Sequence, residues 1–406
     1  MRSVTRAFLI AVVALSVTTQ TAHSNALDEI LRTAALKNGL RPSAQLFNNR
    51  DAALAASGKL FFESKHLSLN GKIACRTCHL GGFGSADGLP NAVGIFGKDG
   101  GPKRGLSNGK IVPRNTLSLW GRGAKGFETF FWDGKIDFSM GKKISQFGDQ
   151  APSDDSLITA VHLPPAEIRE MLNDDPTVSL FKRESPQKAS ELYDQIVKSL
   201  RVKEAQAVSA LAGKLEKSSA VIQFHDIARS IAAFIRGKFR LKDTRFHKFV
   251  FGSEKLTTDE VQGGIIFYGK GRCVNCHNGP HFSNLQFHAI PFPQLGFGKP
   301  EFGVDYGRFN VTFQAEDLYK FRTPPLFNVE KTAPYGHSGS LSNLHQAIVA
   351  HFDPLRSIDP KSMTPSARHE FFKRMAAVGE SFKFLTVLND EEVEKLQKCL
   401  LSLSFD

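Results

Sequence analysis

The chain has no long apolar run. Outside residues 7–17 its hydrophobic residues are dispersed, and that stretch of about ten falls short of the roughly 20 needed to span a bilayer, which excludes a polytopic membrane protein. Neither end carries a block of one charge sign. The 52 lysines and arginines and the 40 aspartates and glutamates are spread along 406 residues, so the formal +12 does not describe a tail-driven nucleic-acid binder. A hydrophobic share of 41% with 23% charged residues excludes disorder and a collagen-like repeat. No stretch sustains the strict alternation of a half-buried strand over six residues, and the fold class expected is mainly α. Cysteine is scarce and odd in number, at five. The length suggests two or three domains at about 100–200 residues each.

What is present begins with a processing signal. Arg2 and Arg6 precede the apolar residues 7–17, and Ser24-Asn25-Ala26 places small residues at a cleavage position, so residues 1–26 read as a signal peptide. Its removal would take away two of the positive charges. The expected location is periplasmic, an oxidising space in which paired cysteines ordinarily form disulfides.

Four of the five cysteines have another use. Cys75-Arg76-Thr77-Cys78-His79 and Cys273-Val274-Asn275-Cys276-His277 both read C-x-x-C-H, the attachment signature of c-type heme. Two thiols on one helical turn can add to the two vinyl groups of one porphyrin, and the adjacent His79 or His277 then reaches the iron. A thioredoxin-like pair needs a βαβ context, and a zinc half-site needs a second C-x-x-C nearby; neither is found. Cys399 falls on the apolar stripe Val393, Leu396, Cys399, Leu400, Leu403 of a final helix and reads as core.

Both motifs have similar lead-ins, Gly58-Lys59-Leu60-Phe61-Phe62 and Gly263-Gly264-Ile265-Ile266-Phe267-Tyr268, the mark of a diverged duplication. Two cytochrome c-like heme domains follow, with their hemes facing a shared interface: residues 27–185, then a helical linker region over 186–219, then 220–406. Ile222, Ile227, Ile231 and Phe234 predict a helix within 221–240. Thr257-x-x-Glu260 and Asn389-x-x-Glu392 read as capping boxes.

Ordered along nearly the whole chain, further pieces carry a family resemblance. They are Arg114-Asn115-Thr116-Leu117-Ser118-Leu119, Phe131-Trp132-Asp133-Gly134, Pro164 followed six residues later by Glu170-Met171, and Ala228-Arg229-Ser230-Ile231-Ala232-Ala233-Phe234. The second motif with Asn278-Gly279-Pro280-His281-Phe282 follows, then Phe321-Arg322-Thr323-Pro324-Pro325 leading to Thr332-Ala333-Pro334-Tyr335-Gly336-His337. With the two heme motifs, this set resembles the bacterial diheme cytochrome c peroxidases and MauG. The resemblance implies that the N-terminal heme is the peroxide site and the C-terminal heme an electron relay.

It also implies roles for residues. Glu170 stands at the position of the distal acid/base, near Pro164, where an apolar pocket would raise a carboxyl pKa and suit it to moving a proton; Glu167 reads as a solvated helix glutamate. Trp132 matches the tryptophan between the hemes, with a bridging and a purely structural role both open. No histidine falls between His79 and His162, and the loop 81–109 is glycine-rich, so the first iron is expected to be open; Met140 or His162 is the alternative sixth ligand. Fourteen residues after His337, where relatives have methionine or tyrosine, stands His351, and it shares a helical stripe with Leu344, Ala347 and Ile348. A calcium ion would be held by Asn115, Thr332 and Pro334. Ala160 replaces a glutamine frequent in relatives, and Lys135 their usual arginine.

The expected function is peroxide reduction at the first heme, with electrons from a small c-type cytochrome or cupredoxin. A MauG-like enzyme, using peroxide-derived high-valent iron to oxidise residues of a partner protein, is the alternative. A non-catalytic diheme carrier is a third reading. The donor and the oligomeric state, a homodimer included, are left open.

Overall fold

The computed structural model describes residues 25–139, 141, 143–173, 186–298, 303–379 and 386–405. Most of the expected signal peptide and Met140 therefore lie outside the described residues. The fold is mainly α, as the lack of alternating segments predicts. Its principal helices are α1 (25–37), α2 (Ala55–Glu63), α3 (Cys75–Cys78), α4 (Ser156–His162), α5 (Pro186–Lys203), α6 (Ala205–Lys214), α7 (Phe224–Lys238), α8 (Arg245–Phe251), α9 (Thr258–Tyr268), α10 (Leu344–Ala350), α11 (Pro365–Ala376) and α12 (Asp390–Leu401). Among the described residues the strands form two antiparallel ribbons, β1 (Thr129–Phe130) with β2 (Ile136–Asp137) and β3 (Phe287–Ala289) with β4 (Lys320–Arg322). No helix among the described residues is long and apolar enough to cross a membrane.

The duplication appears as a repeated helix crossing. Gly58 of α2 meets the backbone of α7 so closely that an added Cβ would lie 1.8 Å from the Ser230 carbonyl oxygen. Gly263 of α9 meets α12 in the same way, with the corresponding distance 2.0 Å to the Lys395 carbonyl oxygen. A glycine at each crossing lets two helix backbones approach beyond what any side chain permits. The capping boxes are formed as predicted. Thr257 Oγ1 accepts from Glu260 N at 3.3 Å and Glu260 Oε2 accepts from Thr257 N at 2.8 Å. Asn389 Oδ1 accepts from Glu392 N at 2.9 Å and Glu392 Oε2 accepts from Asn389 N at 3.1 Å.

Two hydrophobic cores hold the two motifs, and they cut across the expected boundaries. The first joins Phe61, Phe62 and Ile73 to Leu192, Ile196 and Leu200 of α5, Leu211 of α6, and Ile227 and Ile231 of α7. The residues expected to form a linker, and the helix after them, thus complete the N-terminal core. The second joins Phe246, Val261, Phe267, Val393, Leu396 and Cys399 to Leu31, Ala35, Leu40 and Leu46 from the start of the described chain. The reason is burial: α5, α6 and α7 carry apolar faces that are covered by one another, by α2 and by α4. Cys399 is core, as its stripe predicts.

Buried polar ties join the two halves. Arg114 Nη1 donates to Asp133 Oδ2 at 2.6 Å and its Nε to Asp305 Oδ2 at 2.7 Å, while Arg308 Nη1 donates to the Gly134 carbonyl at 2.7 Å. The Arg322 amide of β4 donates to the Trp132 carbonyl at 2.8 Å. These bonds fix segment 114–137 against segment 305–322.

Candidate functional site: two cavities with a common wall

The N-terminal cavity is lined by Cys75, Cys78 and His79, by Phe62, Leu67, Ile231 and Ile235, and by Pro164, Pro165 and Glu170. One turn of helix presents the two thiols, and His79 follows at its C-terminal end. The Nδ1 atom of His79 lies 2.9 Å from the Ser85 carbonyl, which can only accept. Nδ1 therefore carries the proton and the Nε2 lone pair is left for a metal. Burial pushes the imidazole pKa down to about 4, so the ring is neutral near pH 7. Burial, with Glu170 nearby, pushes the Cys75 thiol up to about 12, and burial with Asp87 raises that of Cys78. No two of the five cysteines are joined by a disulfide.

Glu170 sits half-buried in a turn, not on a helix. Arg169 before it has φ +71°, and its carbonyl accepts from Ile95 N at 3.0 Å. Gly94 makes that approach possible, since a Cβ there would lie 1.8 Å from the Arg169 oxygen. Arg104 in turn organises the Gly94 loop: its guanidinium donates to the carbonyls of Val93 at 2.6 Å, Gly94 at 2.5 Å, Gly97 at 2.9 Å and Asp99 at 3.1 Å. Sequence reasoning noticed the glycines of this loop without the glutamate turn they admit.

Two expectations are corrected. Glu167 is not solvated: it is buried and ion-paired with the buried Lys135, whose ammonium also lies 4.5 Å from the Phe131 ring centroid. A lysine in place of the relatives' arginine thus has a defined carboxylate partner beside the cavity. His162 does not line the cavity. Its Nδ1 bonds the Ile158 carbonyl at 2.8 Å, and its ring packs among Phe147, Tyr193 and Phe224.

The C-terminal cavity is lined by Cys273, Cys276 and His277 on one side and by His351 among Leu344, Ala347 and Ile348 of α10 on another. His277 Nδ1 bonds the Phe282 carbonyl at 3.0 Å, and His351 Nδ1 the Ala347 carbonyl at 2.6 Å, so each leaves Nε2 available. Burial, followed by the field of His351, pushes His277 down to about 4. His288 of β3 and His337 line the same cavity and were missed as cavity residues; their positions depend on β3–β4 pairing and on stacking against Phe321, which no local spacing reveals.

Asn115, Thr116, Leu117, Ser118, Arg122 and Trp132 line both cavities and form the wall between them. Trp132 is buried in that wall with Nε1 donating to the Asn115 carbonyl at 2.9 Å. Apolar walls, paired thiols and a pre-oriented neutral imidazole fit a heme in each cavity. For calcium the fit is one of kind only. Asn115, Thr332 and Pro334 come together, and the Asn115 amide nitrogen donates to the Pro334 carbonyl at 2.6 Å. All three offer neutral oxygen with no carboxylate among them.

Comparison with known proteins agrees with the geometry. Residues 52–255 match the family model described as di-haem cytochrome c peroxidase, a range that holds the first heme motif and ends before the second. Cytochrome c551 peroxidase of Pseudomonas aeruginosa is 28% identical over 295 residues, covering 71% of this chain and 68% of that protein. Methylamine utilization protein MauG of Methylorubrum extorquens is 26% identical over 298 residues, covering 73% and 67%. The fold is also that of a MauG-like protein associated with microbial copper homeostasis, with a TM-score of 0.64 at 23% identity over 90% of this chain and 92% of that one. The diheme peroxidase BthA of Burkholderia thailandensis superposes with a TM-score of 0.63 at 18% identity over 90% and 89%. With half the sequence matched by the family model and two apolar cavities built on C-x-x-C-H turns, this chain belongs to the di-haem cytochrome c peroxidase family.

Proposed function

We propose that the chain is a periplasmic peroxidase that reduces hydrogen peroxide to water at the N-terminal heme, with electrons relayed through the C-terminal heme from a small c-type cytochrome or cupredoxin. The observation that carries this reading is an asymmetry. Among the described residues the N-terminal cavity is lined by one histidine, His79, and one carboxylate, Glu170; the C-terminal cavity is lined by no carboxylate and by four histidines, with His277 and His351 the candidate axial pair and His288 and His337 in its wall. Only the first cavity thus sets a carboxylate proton carrier beside a single candidate axial ligand.

The thiols of Cys75, Cys78, Cys273 and Cys276 would add across the vinyl groups, forming thioethers without any oxidant. Bound heme would supply the iron chemistry and pass the electrons. Glu170 would take a proton from one peroxide oxygen and deliver it to the other, so that two electrons and two further protons give two waters. Pro164 and Pro165 wall the cavity without offering a ligand. Trp132, in the common wall, is placed to assist electron passage between the hemes. A calcium ion on Asn115, Thr332 and Pro334 would brace that wall.

Glu170→Gln keeps the shape and removes the proton carrier. The expected result is an unchanged heme spectrum with the peroxide reaction slowed about 10²–10⁴-fold, measured by stopped-flow absorbance; an unchanged rate would remove Glu170 from the mechanism. A second reading, MauG-like oxidation of a partner protein, is favoured by His351. A second imidazole stabilises ferric iron and makes a poorer acceptor from a high-potential donor than methionine does.

A further inference from the structure

Six arginines are buried among the described residues. Arg236 meets Asp155 and Arg308 meets Asp137, while Arg104 and Arg374 donate to neutral oxygens, Arg104 to four backbone carbonyls and Arg374 to the Gln294 side chain and the Asp305 carbonyl. Arg122 and Arg322, 5% and 0% exposed, differ from all four in facing a cavity that carries a C-x-x-C-H turn. Among the described residues they are the buried arginines that line a cavity without an ion pair. Arg122 Nε donates to the Ser118 carbonyl at 2.7 Å. Arg322 Nε donates to the Phe131 carbonyl at 2.9 Å and its Nη1 to the Thr323 carbonyl at 3.2 Å. Arg122 Nη1 and Arg322 Nη2 are buried and make no hydrogen bond.

The two groups are also neighbours. Their guanidinium carbons lie 4.7 and 5.5 Å from the centroid of the same Phe127 ring. Burial and then the field of Arg322 depress the basicity of Arg122, and burial lowers Arg322 to about 9 against the opposing pull of Asp133 and Asp137. Taking two like charges out of water costs far more than a ring face returns. A fold that keeps them in a cavity wall is built to receive an anion. A heme is an apolar disc except for its two propionate carboxylates, and the C-terminal cavity, which both arginines line, supplies no carboxylate of its own. Planar guanidinium groups suit carboxylates in shape as well as charge.

We propose that Arg122 and Arg322 form a receptor for heme propionates in the wall between the cavities, Arg122 serving both hemes and Arg322 the C-terminal one. The proposal rests on the two-heme reading above. Because Arg122 lines both cavities, its charge acts on both irons; Arg322 lines only the C-terminal cavity. Removing a cation, and so leaving a propionate unneutralised beside an iron, favours the ferric state and lowers the reduction potential.

The test is a spectroelectrochemical titration of the full-length, heme-loaded protein, after heme per chain has been counted by absorbance. Wild-type protein with fewer than two hemes would overturn the two-heme reading itself, on which the receptor stands. Given two hemes, Arg122→Gln is expected to lower both potentials, Arg322→Gln only that of the C-terminal heme, and Arg122→Lys to restore most of the loss. The proposal is overturned by an Arg122→Gln protein with two hemes and unshifted potentials, or by a lysine variant no different from the glutamine one. A purely structural role would not sort the shifts by heme or by charge. Should Arg322→Gln fail to accumulate, the two Arg122 variants alone decide.

Discussion

His351 and His162 differ in what surrounds the ring. His351 faces a cavity that also holds His277, and on the proposed ligation it supplies the sixth ligand of the C-terminal iron. The resting ferric protein should then give one high-spin and one low-spin electron paramagnetic resonance signal, and His351→Gly should convert the low-spin one; a low-spin signal that persists would exclude His351. Two low-spin signals in the unaltered protein would favour the non-catalytic carrier. His162 is packed in the first core, and burial lowers it from its ordinary 6.5 to about 4. Between those values the unfolded chain binds a proton that the folded chain does not, so stability rises with pH in that window. It is lost as pH falls from about 6.5 toward 4, by about 1.4 kcal/mol per unit for such a group. Urea midpoints across this range should fall with pH, and His162→Phe should flatten the slope.

The helix crossings at Gly58 and Gly263 are where a single methyl does most damage. Gly263→Ala would put a Cβ 2.0 Å from the Lys395 carbonyl oxygen, so α9 and α12 must separate, loosening the helix that leads to Cys273. A loss of about 3 kcal/mol or more is expected from backbone overpacking, read as a lower midpoint in urea; the exposed Gly237→Ala, where a Cβ meets nothing, serves as the control. Much at this level was legible in sequence because the signals are local. The heme turns, the capping boxes, the repeated lead-ins and the stripe that carries His351 are all patterns within one or two helical turns of sequence. The Lys135–Glu167 pair, the Gly94 contact behind Glu170, His288 and the two arginines beside Phe127 were not legible. Each joins residues far apart in the chain, and the burial that gives them meaning exists only after folding.

Taken whole, the two cavities form one unit because segment 114–137 belongs to both. Arg114 and Trp132 are held by the C-terminal half while they line the N-terminal cavity. On the proposed relay, electrons entering at one heme would reach the other across a fixed wall, which suits turnover as well as storage of oxidising equivalents. Steady-state assays with reduced cytochrome c separate the two. Sustained peroxide consumption supports the peroxidase, whereas rapid peroxide reaction with negligible turnover supports oxidation of a partner protein.

The interleaved cores also set an order of assembly. Every member of the first core except Leu285 precedes the second heme motif in the chain, so this half can gather before the segment around Cys273 has folded. The second core needs Leu31 and Leu40, which precede every member of the first core, and Leu400, which follows them all. Helix α1 thus comes before the first core in sequence, yet its Leu31 lies against Gly264 of α9 in the second. The C-terminal half closes after the N-terminal one, clasping α1 and locking the common wall from its far side.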